Sequence, residues 1–203
     1  MENIKPTISY LALGDSYTCG EAVEQAQSFP YLLAKVFKQE NIALAPTIVA
    51  QTGWTTNELE QALDAANLPA TFGLVSLLVG VNNQYRGLDI EVFKTEFTRL
   101  LGMAIHLAKG NAHKVFVLSI PDYGYTPFGQ AQQLKISEEI NLYNAICKET
   151  AQIYGVKFFN ITDISRQGLG FPNLLASDGL HPSGEMYQLW VDSFKSDVME
   201  MMV

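Results

Sequence analysis

Short apolar runs alternate with segments of helical spacing along most of the chain. Continuous runs at Ile8 to Leu13, Thr47 to Gln51, Leu74 to Val81, Lys114 to Ile120 and Lys157 to Ile161 predict strands buried on both faces. Between them the spacing changes. Leu32, Leu33, Val36 and Phe37 mark one face of a helix over Phe29 to Gln39. Phe93, Phe97, Leu100, Leu101 and Ile105 do the same within Ile90 to Leu107. The segment Thr55 to Ala66 opens with Thr-x-x-Glu, a capping box that satisfies the first backbone donors of a helix. A helix over Ile136 to Tyr154 stops at Gly155, and a last one runs on from about Ser183.

Strands alternating with helices predict a parallel sheet covered on both sides, an α/β fold. Right-handed crossovers then leave few topologies, among them a sheet in the order 2-1-3-4-5. The length, 203 residues, suits a single domain over residues 1–203. In such sheets the site lies beyond the C-terminal ends of the strands. The loops there hold Gly14-Asp15-Ser16, then Gly53, then Gly80-Val81-Asn82-Asn83, and near the end Asp178-Gly179-Leu180-His181.

These residue types match the needs of acyl transfer: a nucleophile, a base, a carboxylate that orients the base, and donors for the oxyanion. Ser16, at the head of a helix after the first strand, is the candidate nucleophile. His181 is the candidate base, and Asp178, three residues earlier, its orienting carboxylate. Backbone N–H groups of Ser16 and Gly53 and the Asn82 amide are the candidate oxyanion donors. His106 and His113 have no carboxylate at comparable spacing and read as structural or exposed. Cys19 is expected to line the site without a catalytic role, and Cys147 to sit in the core.

The arrangement resembles the SGNH hydrolases, the GDSL esterase/lipase family. The resemblance rests on Gly14-Asp15-Ser16-Tyr17-Thr18, Gly53 within Gln51-Thr52-Gly53-Trp54, Gly80-Val81-Asn82, and Asp178 to His181 followed by Pro182. It spans Leu13 to about Tyr187. It implies a flavodoxin-like three-layer sandwich, no metal or other cofactor, and esterase or related acyl-hydrolase activity on a small carboxylic ester. Two positions depart from the family pattern. Tyr17 stands where many members have Leu, and Asn83 where Asp is common. At position 83 a change to Asp is expected to be nearly neutral. A thioesterase or acyltransferase of the same fold, or a flavodoxin-like binding domain without turnover, are the alternatives.

Two long connections are candidates for the substrate walls, Pro121 to Gly129 and Asp163 to Ser177. Tyr125 and Phe128 on the first, and Arg86 after the Asn block, are the candidate pocket residues.

Charge narrows the partners. With 13 Lys+Arg against 21 Asp+Glu the net charge is −8, which disfavours nucleic acid and anionic membrane surfaces. Two cysteines cannot form a disulfide framework. Met1 to Tyr10 does not read as a signal peptide, so a cytoplasmic location is expected. The pattern leaves the oligomeric state open. No Gly-x-Ser-x-Gly elbow surrounds Ser16, since position 18 is Thr, which argues against the α/β-hydrolase fold.

Overall fold

A computed structural model describes residues 7–202; most of the Met1 to Tyr10 reading lies outside them. Five parallel strands form one sheet in the order β2-β1-β3-β4-β5. They are β1 (Ile8–Gly14), β2 (Leu44–Ala50), β3 (Leu74–Leu78), β4 (Val115–Leu118) and β5 (Lys157–Phe159). This is the expected α/β fold. The central strands β3 and β4 are buried at every residue, whereas the edges β2 and β5 are mostly half-buried. That difference follows from position: a central strand has helices over both faces and a neighbour on each side.

The helices are α1 (Ser16–Cys19), α2 (Phe29–Gln39), α3 (Thr56–Ala65), α4 (Val81–Tyr85), α5 (Ile90–Leu107), α6 (Gln133–Ile153), α7 (Thr162–Ser165) and α8 (Gly184–Glu200). Helix α2 packs on α8, while α3, α5 and α6 pack in series. The predicted capping box is present: Thr55 accepts from the Glu58 N–H, and Glu58 accepts from the Thr55 N–H at 2.8 Å. Gly155 takes φ +69°, a left-handed backbone that only glycine adopts cheaply, and so closes the turn after α6.

Boundaries shift for identifiable reasons. β2 begins at Leu44, earlier than the apolar run suggests, because Pro46 sits on an edge strand where its missing N–H costs little. The run predicted to end at Val81 stops at Leu78; Gly80, at φ +134°, turns the chain into α4. No helix among the described residues is long and apolar enough to cross a membrane.

One buried connection reaches across nearly the whole chain. Tyr187 on α8 donates its hydroxyl to the Tyr17 carbonyl at 3.0 Å, and Trp190 lies against the Tyr17 ring. The last helix thus supports the turn that carries Ser16.

Candidate active site

Ser16 opens α1, one turn held by Asp15. The Asp15 carboxylate accepts from the Tyr17 N–H at 3.0 Å, and its carbonyl accepts from Thr18 and Cys19. Asp15 is buried, and its Oδ2 has no partner among the described residues. Desolvation pushes its carboxyl up to about 7, against the opposing pull of nearby N–H groups of Tyr17 and Gly80. A side chain at Gly14 would overlap the Thr18 hydroxyl and the Leu78 carbonyl, so only glycine lets β1 pass this close to β3 and α1. The Ser16 hydroxyl makes no hydrogen bond among the described residues.

Asp178 and His181 are joined within one loop. Asp178 Oδ2 lies 2.6 Å from His181 Nδ1, and Oδ1 accepts the N–H groups of Leu180 and His181, each at 3.0 Å. Gly179 supplies the turn at φ +67°. Partial burial raises the Asp178 pKa, but the His181 side chain and these two N–H donors outweigh it. The carboxyl is held below its usual range. The ring of Tyr17 packs on His181 with centroids 5.6 Å apart. Tyrosine at this position therefore orients the imidazole as well as filling space. His181 Nδ1 is occupied by Asp178, which leaves Nε2 for chemistry in the cleft.

The third wall comes from the loops after β2 and β3. Gly53 adopts φ +86°. Neither its N–H nor that of Ser16 is used by another group among the described residues. Asn82 donates one amide hydrogen to the Trp54 carbonyl at 2.9 Å, and the other has no partner among the described residues. Asn83 is turned the opposite way and fully buried. Its Oδ1 accepts the Thr56 N–H at 3.0 Å, and its Nδ2 donates to the Thr56 hydroxyl at 2.7 Å. The Thr56 hydroxyl gives its own hydrogen to Glu96. This network argues against the expectation that Asp would be nearly neutral at position 83: a carboxylate there loses the donor and competes with Glu96 for a single hydrogen.

Ser16, Gly53, Asn82 and His181 line one open cleft of about 220 Å³. Its apolar wall is supplied by Tyr17, Val81, Tyr85, Tyr123, Phe128 and Leu180. Of the expected pocket residues, Phe128 is there. Tyr125 is not: it lies near the Arg166 guanidinium, 6.0 Å from its ring centroid, and Tyr123 and Tyr85 take its place. Tyr85 ends the short α4, which begins in the Asn block and continues where the sequence predicts only a loop. Arg86 is also absent from the cleft. Its guanidinium donates to the Gly53 carbonyl at 2.5 Å and pairs with Glu58 at 3.3 Å. Cys19, expected to line the site, is not part of the cleft wall: its thiol lies against the Ser16 carbonyl at 3.5 Å, and burial raises its pKa. Cys147 is buried in α6, and His106 and His113 are exposed. Phe171, on the second long connection, is exposed and does not reach the cleft. No group of side chains suited to holding a metal ion occurs among the described residues.

The fold is shared with several solved structures. Axe2, an acetylxylan esterase from Geobacillus stearothermophilus, superposes with a TM-score of 0.74 at 17% identity, covering 96% of this chain and 95% of that one. The psychrotrophic esterase EstA from Pseudoalteromonas sp. gives 0.70 at 18%, covering 95% and 97%. A lipase/acylhydrolase from Enterococcus faecalis gives 0.71 at 19%, covering 96% of each. No curated protein sequence matches the chain. The model of the GDSL-like lipase/acylhydrolase family matches residues 12–189, a span that takes in the Ser, Gly, Asn and Asp-x-x-His blocks, and the chain belongs to that family as a carboxylic ester hydrolase.

Proposed function

We propose that the chain hydrolyses small carboxylic esters through an acyl-enzyme formed on Ser16. The observation that carries this reading is the Asp178–His181 pair, 2.6 Å apart, at the same cleft as an otherwise unbonded Ser16 hydroxyl. Ser16 Oγ attacks the ester carbonyl while His181 Nε2 takes its proton. The oxyanion is held by the free N–H groups of Ser16 and Gly53 and the second hydrogen of the Asn82 amide. As the carbon–oxygen bond to the alcohol breaks, His181 returns the proton to the leaving oxygen. Water then attacks the acyl-serine by the same route, with His181 again as base. Asp178 holds the imidazole tautomer and stabilises the imidazolium that forms at each step.

The cleft, at about 220 Å³, is below the usual size for drug-sized ligands, roughly 300–1,000 Å³. It fits a short acyl group such as acetyl or butyryl. The acetylxylan esterase Axe2 shares this fold, which agrees with a short acyl group. A fluorophosphonate probe should label the wild-type chain at Ser16 and leave Ser16→Ala unlabelled. Turnover of p-nitrophenyl acetate should fall at least about 10⁴-fold in Ser16→Ala or His181→Ala, with the double variant little worse. Wild-type rates in Ser16→Ala would end the proposal.

A further inference from the structure

A second cavity of about 310 Å³ adjoins the cleft, and Tyr85, Tyr123 and Phe128 line both. The three rings lie 6.1 to 6.3 Å apart, in mutual contact. They form a partition rather than a cage. Tyr85 is 59% exposed and Phe128 54%, so apolar ring surface stays open to solvent at the junction.

Beyond the partition the lining changes character. Gln84, Gln132, Lys135 and Glu139 supply donors and acceptors. Glu139 accepts from Gln84 Nε2 at 2.6 Å and faces Lys135 at 3.9 Å. The one cation and the one anion of the cavity are therefore paired. A charged ligand would gain from one and be opposed by the other. An alkyl chain would have to strip water from both, at a cost that burying it does not recover. What suits a neutral mixture of donors and acceptors is a group that both gives and accepts hydrogen bonds, and the hydroxyl is the side-by-side match. Apolar CH faces of a ring would lie on the exposed aromatics while its hydroxyls reach Gln132 and Lys135.

The cavity is built on fixed elements. Asp122, at the base of the connection that carries Phe128, accepts from the Gly124 N–H at 2.9 Å, the Ser137 hydroxyl at 2.7 Å and Arg166 at 3.0 Å. A side chain at Gly129 would overlap the Tyr123 backbone, so the connection folds back tightly on itself. Helix α6 provides the floor.

Resting on the esterase reading above, we infer that this second cavity is a subsite for a neutral, hydroxyl-rich ring, so that the substrates are short-acyl esters of sugar-like alcohols. Two acetates with primary leaving alcohols test it: methyl 6-O-acetyl-β-D-glucopyranoside and cyclohexylmethyl acetate. They differ chiefly in the hydroxyls of the ring. The sugar ester should have a kcat/KM at least about tenfold higher, because hydroxyls that find partners are rewarded and an analogue without them leaves polar groups stranded. Gln132→Ala and Lys135→Met should each cut that preference about five- to tenfold, the worth of one hydrogen bond. A preference near one, a preference for the cyclohexyl ester, or variants that slow both esters equally would overturn the subsite. Loss of p-nitrophenyl acetate hydrolysis is the separate mark of failure of the esterase reading, and the subsite falls with it.

Discussion

The two walls beside Ser16 are built by opposite strategies. The proposed acid–base arm is local: Asp178 binds the side chain and N–H of His181 and the N–H of Leu180, all within four residues. The proposed oxyanion wall is assembled from afar. Arg86 holds the Gly53 carbonyl, Asn82 holds the Trp54 carbonyl, and Asn83 holds Thr56, links that span 27 to 33 residues. A local arm needs only a short loop to be correct. A braced wall needs β2, β3 and the helices after them to be docked together first. Damage to the second should therefore spread, while damage to the first should stay in the chemistry.

The sharpest test lies in the wall. Asn82→Ala should cut kcat about 100- to 1,000-fold with little change in KM, as expected for a donor that acts mainly in the transition state. Kinetics on p-nitrophenyl acetate decide it, and a mild effect would remove Asn82 from the oxyanion hole. Its neighbour should respond in a different measure. Asn83→Asp should lower stability by about 1–3 kcal/mol, the cost of a buried polar group losing its partner, seen as a lower thermal midpoint. Unchanged stability would break the claim that the wall is braced through Thr56.

A smaller effect is expected at Arg86. Arg86→Ala should reduce kcat about five- to tenfold, since an exposed pair holding one carbonyl is worth about 1 kcal/mol. A rise in KM with kcat unchanged would instead mean that Arg86 meets substrate. The smallest belongs to the arm. Asp178 has its pKa lowered in the folded chain, so its contribution to stability is present above the ordinary carboxylate range and is lost as pH falls through the depressed value. Asp178 is partly exposed, so the contribution is modest. Asp178→Asn should lower stability modestly at neutral pH, with the difference from wild type vanishing as pH falls through the depressed value, so that the acid limb of the stability–pH curve is slightly flatter. A large loss of stability at neutral pH would show that the arm is not self-contained.

The same contrast explains what was legible in the sequence. The strands and the loops beyond their ends follow from the apolar runs, while the four blocks in those loops stand out by their resemblance to the family pattern. Asp178 and His181 could be paired on spacing alone, because three residues and a glycine turn suffice to bring them together. Arg86 could not be assigned, because its partner is a backbone carbonyl brought near only by folding. Tyr85 was not assigned to the wall for a related reason: it ends α4, a single short turn without the periodicity that marks a helix, whereas Tyr123 lies on the Pro121 to Gly129 connection expected to wall the site. The bias of Asn83 against Asp rests on a hydrogen count around Thr56 that no linear pattern carries.

The bond from Tyr187 to the Tyr17 carbonyl joins residues 170 positions apart. During synthesis Ser16 emerges well before α8, and its support arrives only with that helix. The proposed hydrolytic centre is thus completed only after every strand of the sheet has been made. A growing chain exposes the serine without a held turn, without His181 and without the Trp190 side of the Tyr17 ring. On this reading, hydrolysis would begin only once α8 is in place beneath the Ser16 turn.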